Sequence, residues 1–148
     1  MTPLDQRLWQ QCDLHYAKHR ELCLSLQNQH QVNVNLLLLA WYLDGRRLGL
    51  DSSQWQEVTQ LINRWEGRLL VPYRRLRQLG KARLPTAEYH KMLDVELSLE
   101  RKGQNLILKW LGRQSLTPHH SNLEHFLQQY DLDLLAVADF QHQEDAVA

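Results

Sequence analysis

Apolar residues recur at three- and four-residue steps along most of the chain, the pattern of helices that pack one side. Leu4, Leu8 and Cys12, with Trp9 and Tyr16 on the flank, predict a first helix. Thr2 and Pro3 form its start, a hydroxyl cap followed by a proline where no N–H is needed. A second short helix is expected over about residues 17–29, with Leu22, Cys23 and Leu26 facing inward. The longest apolar run, Val34 to Leu43, is interrupted only by Asn35. A helix apolar on all sides is one that others surround, so this helix is predicted to be the buried centre of the fold. Asn33 or Asn35 caps it, and Asp44-Gly45 ends it, with the glycine in the left-handed position beyond the last turn.

Asp51 or Ser52 opens a fourth helix bearing Trp55, Val58, Leu61, Ile62 and Trp65. Pro72 biases Val71 away from helical angles and has no N–H for residue 68, so a break or sharp kink is predicted at residues 70–72. A fifth helix follows from Pro72 to about Lys81, with Pro85 beyond it. From Thr86 a long stretch runs to about Leu111, divided at Gly103 if that glycine and the polar residues around it act as a breaker. Residues 115–121 read as a loop, and Ser121 with Glu124 is a capping-box pair for a last helix carrying Leu123, Phe126, Leu127 and Tyr130. No alternating run marks a strand. The expected fold is all-α, a single domain of six or seven helices over residues 1–130 around the helix at 34–43, followed by an acidic, weakly structured tail at 131–148.

The chain of 148 residues is 43% apolar with few Gly and Pro, which excludes a disordered or collagen-like protein. No apolar run reaches the roughly 20 residues that span a bilayer, and the start lacks the basic and apolar regions of a secretory signal. Cys12 and Cys23 form neither a CxxC motif nor a disulfide framework, and read as buried thiols. The expectation is a cytoplasmic protein with no membrane contact.

The 17 basic and 17 acidic side chains cancel overall but not locally. Residues 44–85 carry nine basic and four acidic groups, and residues 114–148 carry none and six. On a helix from Pro72, steps of about 100° place Arg74, Arg77 and Lys81 on one arc, with Leu76 and Leu79 opposite. This predicts a free cationic side opposite a packed one. Arg64, Arg68, Arg74, Arg75, Arg77 and Lys81 are the candidate partner- or anion-binding residues, since the guanidinium fork suits carboxylate and phosphate. The acidic tail is a possible intramolecular mask for them.

Other candidate chemistry is sparse. His15 and His19 share a helix face but lack further ligands, and read as polar-face histidines at a helix junction. His119, His120 and His125 with Glu124 miss both the HExxH and HxxEH spacings. No nucleotide loop, nucleophile elbow or calcium loop is present. No metal, cofactor or catalytic residue is therefore expected.

Several stretches carry a resemblance: Cys23-Leu24-Ser25-Leu26-Gln27, Val32-Asn33-Val34-Asn35-Leu36-Leu37-Leu38, Trp41, Trp65, Val71-Pro72 and Arg74-Arg75-Leu76-Arg77. They resemble a family of small, uncharacterised proteobacterial proteins, a conserved domain of unknown function, over roughly residues 5–130; Tyr73 departs from the leucine expected after the proline. The resemblance implies a bacterial, soluble, helical cytosolic domain and supplies no catalytic residues. The expected function is a non-enzymatic interaction protein whose basic helix face meets an acidic protein surface. The alternatives are an RNA- or ribosome-associated factor using the same patch on phosphates, and a small enzyme using His/Glu acid–base chemistry near residues 119–125 or 90–96. Near-zero net charge also makes a homodimer possible.

Overall fold

Asn33 starts the central helix as its sequence predicts: its Oδ1 accepts a hydrogen bond from the Leu36 N–H at 3.0 Å. In the computed structural model, which describes residues 4–140, this helix is α3 (Val34–Arg46), preceded by α1 (Arg7–Lys18) and α2 (Arg20–His30). After it come α4 (Ser52–Trp65), a π-turn (Glu66–Leu70), α5 (Val71–Lys81), α6 (Thr86–Leu111), α7 (Asn122–Gln128) and a 3-10 turn (Leu134–Val137). The described chain is all-α, and its one sheet-like pairing is an isolated bridge between Gly49 and Thr117. The expected Thr2-Pro3 start lies outside the described residues.

The contacts fall into two compact units, one formed by the described residues up to Thr59 and from Gln114 on, the other by Gln60–Arg113. In the first, α3 packs against α1, α2 and α7. Leu36, Leu37, Leu38, Leu39, Ala40 and Leu43 are all buried, as the apolar run predicts. Helix α3 ends differently from expectation. Gly45 stays within it, and Arg47 takes the left-handed position at φ 54°. Helix α4 opens on a reciprocal cap, with Asp51 Oδ1 accepting from Gln54 N at 2.8 Å and Gln54 Oε1 accepting from Asp51 N at 2.9 Å.

Helix α7 is capped from a distance. Ser121 makes no side-chain cap; Asp44 accepts from the Asn122 and Leu123 N–H groups at 2.7 and 3.1 Å. Beyond α7, the start of the expected tail belongs to the first unit, because Val137 and Phe140 are fully buried. Residues 141–148 lie outside the described residues.

The second unit contains the π-turn, α5 and α6, which pack on one another. Of the break or sharp kink expected at residues 70–72, the break does not occur, and the irregularity present is the π-turn that ends at Leu70. Val71 keeps helical angles (φ −64°, ψ −49°), and the chain passes from the π-turn into α5 without leaving the helix. A π-turn reaches one residue further along than an α-turn, which suits a stretch where a proline removes a donor. Nor does Gly103 divide α6. A Cβ there would sit 3.2 Å from the Trp65 indole nitrogen, so the glycine is a close-packing position inside one 26-residue helix.

Candidate interaction surface on the α5–α6 hairpin

Helix α5 has two unlike sides, and the structure orients them opposite to the sequence expectation. Arg77 faces α6, where its Nε lies 3.0 and 3.2 Å from the two carboxylate oxygens of Glu96, with Nη2 3.0 Å from Oε1. Arg74 donates to Glu100 Oε1 at 2.9 Å and lies 3.8 Å from Glu96. Two candidate binding residues, Arg74 and Arg77, are thus engaged inside the second unit and do not form a free cationic side. The physical reason is Glu96, a buried carboxylate that demands cationic partners when removed from water. Glu96 first, and Tyr89 after it, hold the Arg77 pKa above its ordinary value. Tyr73 adds a hydrogen bond to the Met92 carbonyl at 2.9 Å. Gly80 lets the helices approach, since a Cβ there would meet Met92 Sδ at 2.9 Å.

The leucines expected to pack are correspondingly outside. Leu76 and Leu79 are 57% and 56% exposed, with Val71 also exposed on α5. Arg75 directly precedes Leu76 in sequence and is exposed, as are Arg64, Arg68 and Lys81. Among the described residues these four cations make no ion pair. Four of the six candidate residues therefore stand at the surface, together with an apolar patch that the sequence reading assigned to the core.

Charge is segregated between the units. Residues 60–113 carry 12 basic and five acidic side chains, and the remainder of the chain carries five and 12. In the second unit ten of the cations are exposed, against only Glu88 and Asp94 among the carboxylates. No Phe, Tyr or Trp of that unit is exposed.

The histidine groups lie in the first unit. The His119 ring covers Gly49 so closely that a Cβ would overlap it. Its Nδ1 accepts from Ser121 N at 3.1 Å, and its ring centroid is 5.6 Å from that of His125. His125 Nδ1 faces the Leu50 carbonyl at 3.3 Å, and His120 is exposed. His119 and His125 are therefore brought together as loop and cap chemistry. His15 and His19, expected on a polar face, are buried instead. His15 stacks on Trp41 at 3.8 Å, and Phe140 packs on both histidine rings at 4.4 and 4.8 Å. Burial, reinforced by His19 and Lys18, drives the His15 pKa down to about 3. Among the described residues, no three His, Cys, Asp or Glu side chains converge as a metal site requires, and no helix is long and apolar enough to cross a membrane.

A family of proteins of unknown function (DUF2390) matches residues 7–107. The chain belongs to this family. No curated protein and no solved structure matches it. The DUF2390 match runs from the first residue of α1 into α6, so α5, Glu96 and Glu100 all lie within it.

Sequence reasoning about this DUF2390 chain reached Glu96 only as part of the 90–96 acid–base alternative, and missed both its ion-pair role and Glu100. The available signal was their four-residue spacing on one helix face, with Gly103 continuing the stripe. It also missed Asn122, which is 0% exposed and satisfies all its side-chain hydrogen bonds. Its Oδ1 accepts from Leu50 N and Trp55 Nε1 at 2.9 and 3.2 Å, and its Nδ2 donates to Asp44 Oδ1 and the Leu48 carbonyl at 2.9 and 2.8 Å.

Proposed function

We propose that this protein is a non-enzymatic interaction module whose outward α5 side docks an acidic, apolar-edged protein surface. The observation that carries the reading is the exposure of Leu76 and Leu79 beside Arg75, with Arg68 and Lys81 on the same short stretch of chain. Exposed apolar side chains grouped on one helix favour burial against a partner. Arginine is enriched and apolar area is concentrated at interface centres, and the exposed cations select a partner of negative charge.

The ten exposed cations of residues 60–113 also favour a second reading, an RNA- or ribosome-associated factor. Single-stranded nucleic acid is usually held by exposed aromatic rings together with cations, and this surface offers aliphatic side chains. The protein partner is therefore the first reading. Cytoplasmic location goes with it, because Cys12 and Cys23 are free thiols, the state a reducing compartment maintains.

Affinity purification from the native cell, with and without nuclease, tests the proposal. The wild-type chain should retain an acidic protein after nuclease treatment, and the Arg75→Glu/Leu79→Ser variant should lose it. Retention by that variant, or a partner released wholly by nuclease, overturns the reading.

A further inference from the structure

An acidic, apolar-edged surface of the kind that α5 suits is present on the chain itself. Asp133 caps the 3-10 turn by accepting from Leu135 N at 2.9 Å. The turn sends Val137 into the first unit and leaves Leu135 82% exposed. Asp131, Asp133 and Asp139 are exposed in the same segment. An exposed leucine in a segment with three exposed carboxylates is complementary in charge and polarity to Leu76 and Leu79 with the exposed Arg75 and Arg68 on the same stretch of chain.

The sign of charge selects the geometry. The unit bearing α5 has 12 basic and five acidic groups, and the unit bearing Leu135 belongs to the portion with five and 12. A two-fold dimer through α5 would set like charges face to face. Pairing the α5 side of one copy with the Leu135 segment of another sets unlike charges together. Resting on the docking role of α5 proposed above, we infer that one partner of this face is the Leu135 segment of a second copy, joined head to tail. The contact is between exposed charges, so salt screens it over the Debye length of about 10 Å at 0.1 M.

Sedimentation velocity on the full chain tests this, using two variants that keep the wild-type circular dichroism and melting temperature. Arg75→Glu/Leu79→Ser removes the α5 face, and Leu135→Ser/Asp139→Lys alters the Leu135 segment. The wild-type chain should associate at low ionic strength, with its dissociation constant rising about tenfold or more on going to ~0.3 M salt. Each variant alone should stay monomeric. Their equimolar mixture should form a one-to-one complex, because each supplies the surface the other lacks.

A wild-type chain that remains monomeric at every concentration in low salt overturns the inference, as does a mixture that stays monomeric or a variant that associates as well as wild type. If the wild type is monomeric while Arg75→Glu/Leu79→Ser still loses its acidic protein partner, self-association falls and the docking face stands. If that variant changes neither measurement, both fall.

Discussion

Arg77 grips Glu96 with two nitrogens, Nε and Nη2 each 3.0 Å from Oε1, and this pair joins helices whose residues lie 19 positions apart. Glu96 is buried while Arg74 keeps about a third of its side chain in water. Removing the charge should therefore cost less than the roughly 3–5 kcal/mol of breaking a fully buried pair. Glu96→Gln is expected to destabilise the protein by about 1–2 kcal/mol, read from urea unfolding. An unchanged midpoint would show that the two arginines find equal partners elsewhere.

Asn122 is a second structural anchor. Asn122→Ala strands the Leu50 and Trp55 donors and the Leu48 carbonyl in a buried site, each such group costing about 1–3 kcal/mol with incomplete additivity. A loss of about 2–4 kcal/mol is expected, measured by the same unfolding curve. Asp44 should then lose part of its support as the cap of α7. Its pKa is already raised by burial, against the lowering effect of the hydrogen bonds from Asn122 and Leu123.

The buried His15 sets a pH dependence. Its folded pKa is near 3, while the unfolded ring takes a proton at about 6.5. The unfolded chain therefore binds more protons between those values. The contribution of His15 is complete above pH 6.5 and declines as pH falls toward 3. By pH ~5 the loss from this group is about 2 kcal/mol. Wild type should lose that much more stability than His15→Phe between pH ~7 and ~5. Parallel pH profiles for the two proteins count against this account of the ring.

Gly49 and His119 form a coupled pair. Gly49→Ala forces a Cβ into the His119 ring and displaces it from Ser121, at an expected cost of about 1–3 kcal/mol. Adding His119→Ala removes the obstruction. The double variant should be more stable than the sum of the single effects predicts, by about 1 kcal/mol in a double-mutant cycle. Strict additivity would mean that the ring yields without strain.

Much of the local architecture is legible in residue order. The Asn33 cap, the pillar at residues 34–43 and the helix at 72–81 each follow from short-range chemistry, namely a capping oxygen, an apolar run and a repeat of about 3.6 residues. The structure departs from the local pattern where residues far apart decide. Pro72 alone suggests a break, yet helix packing within Gln60–Arg113 keeps it in a helix through a π-turn. Ser121 and Glu124 look like a self-contained cap, yet Asp44 does that work from 78 residues away. His15 and His19 look solvent-facing until Trp41 and Phe140 cover them.

The candidate surface shows the division most clearly. The sequence by itself determined that the chain is helical, that α5 has a cationic side and an apolar side, and that charge of opposite sign is separated along the chain. Tertiary structure decided which side of α5 faces out. A helical repeat reports that two faces differ, but it carries no information about what stands opposite each one. Here α6 presents a buried carboxylate, which strongly favours ionic partners over aliphatic ones. Arg74 and Arg77 turn inward to supply that charge, leaving Leu76 and Leu79 at the surface.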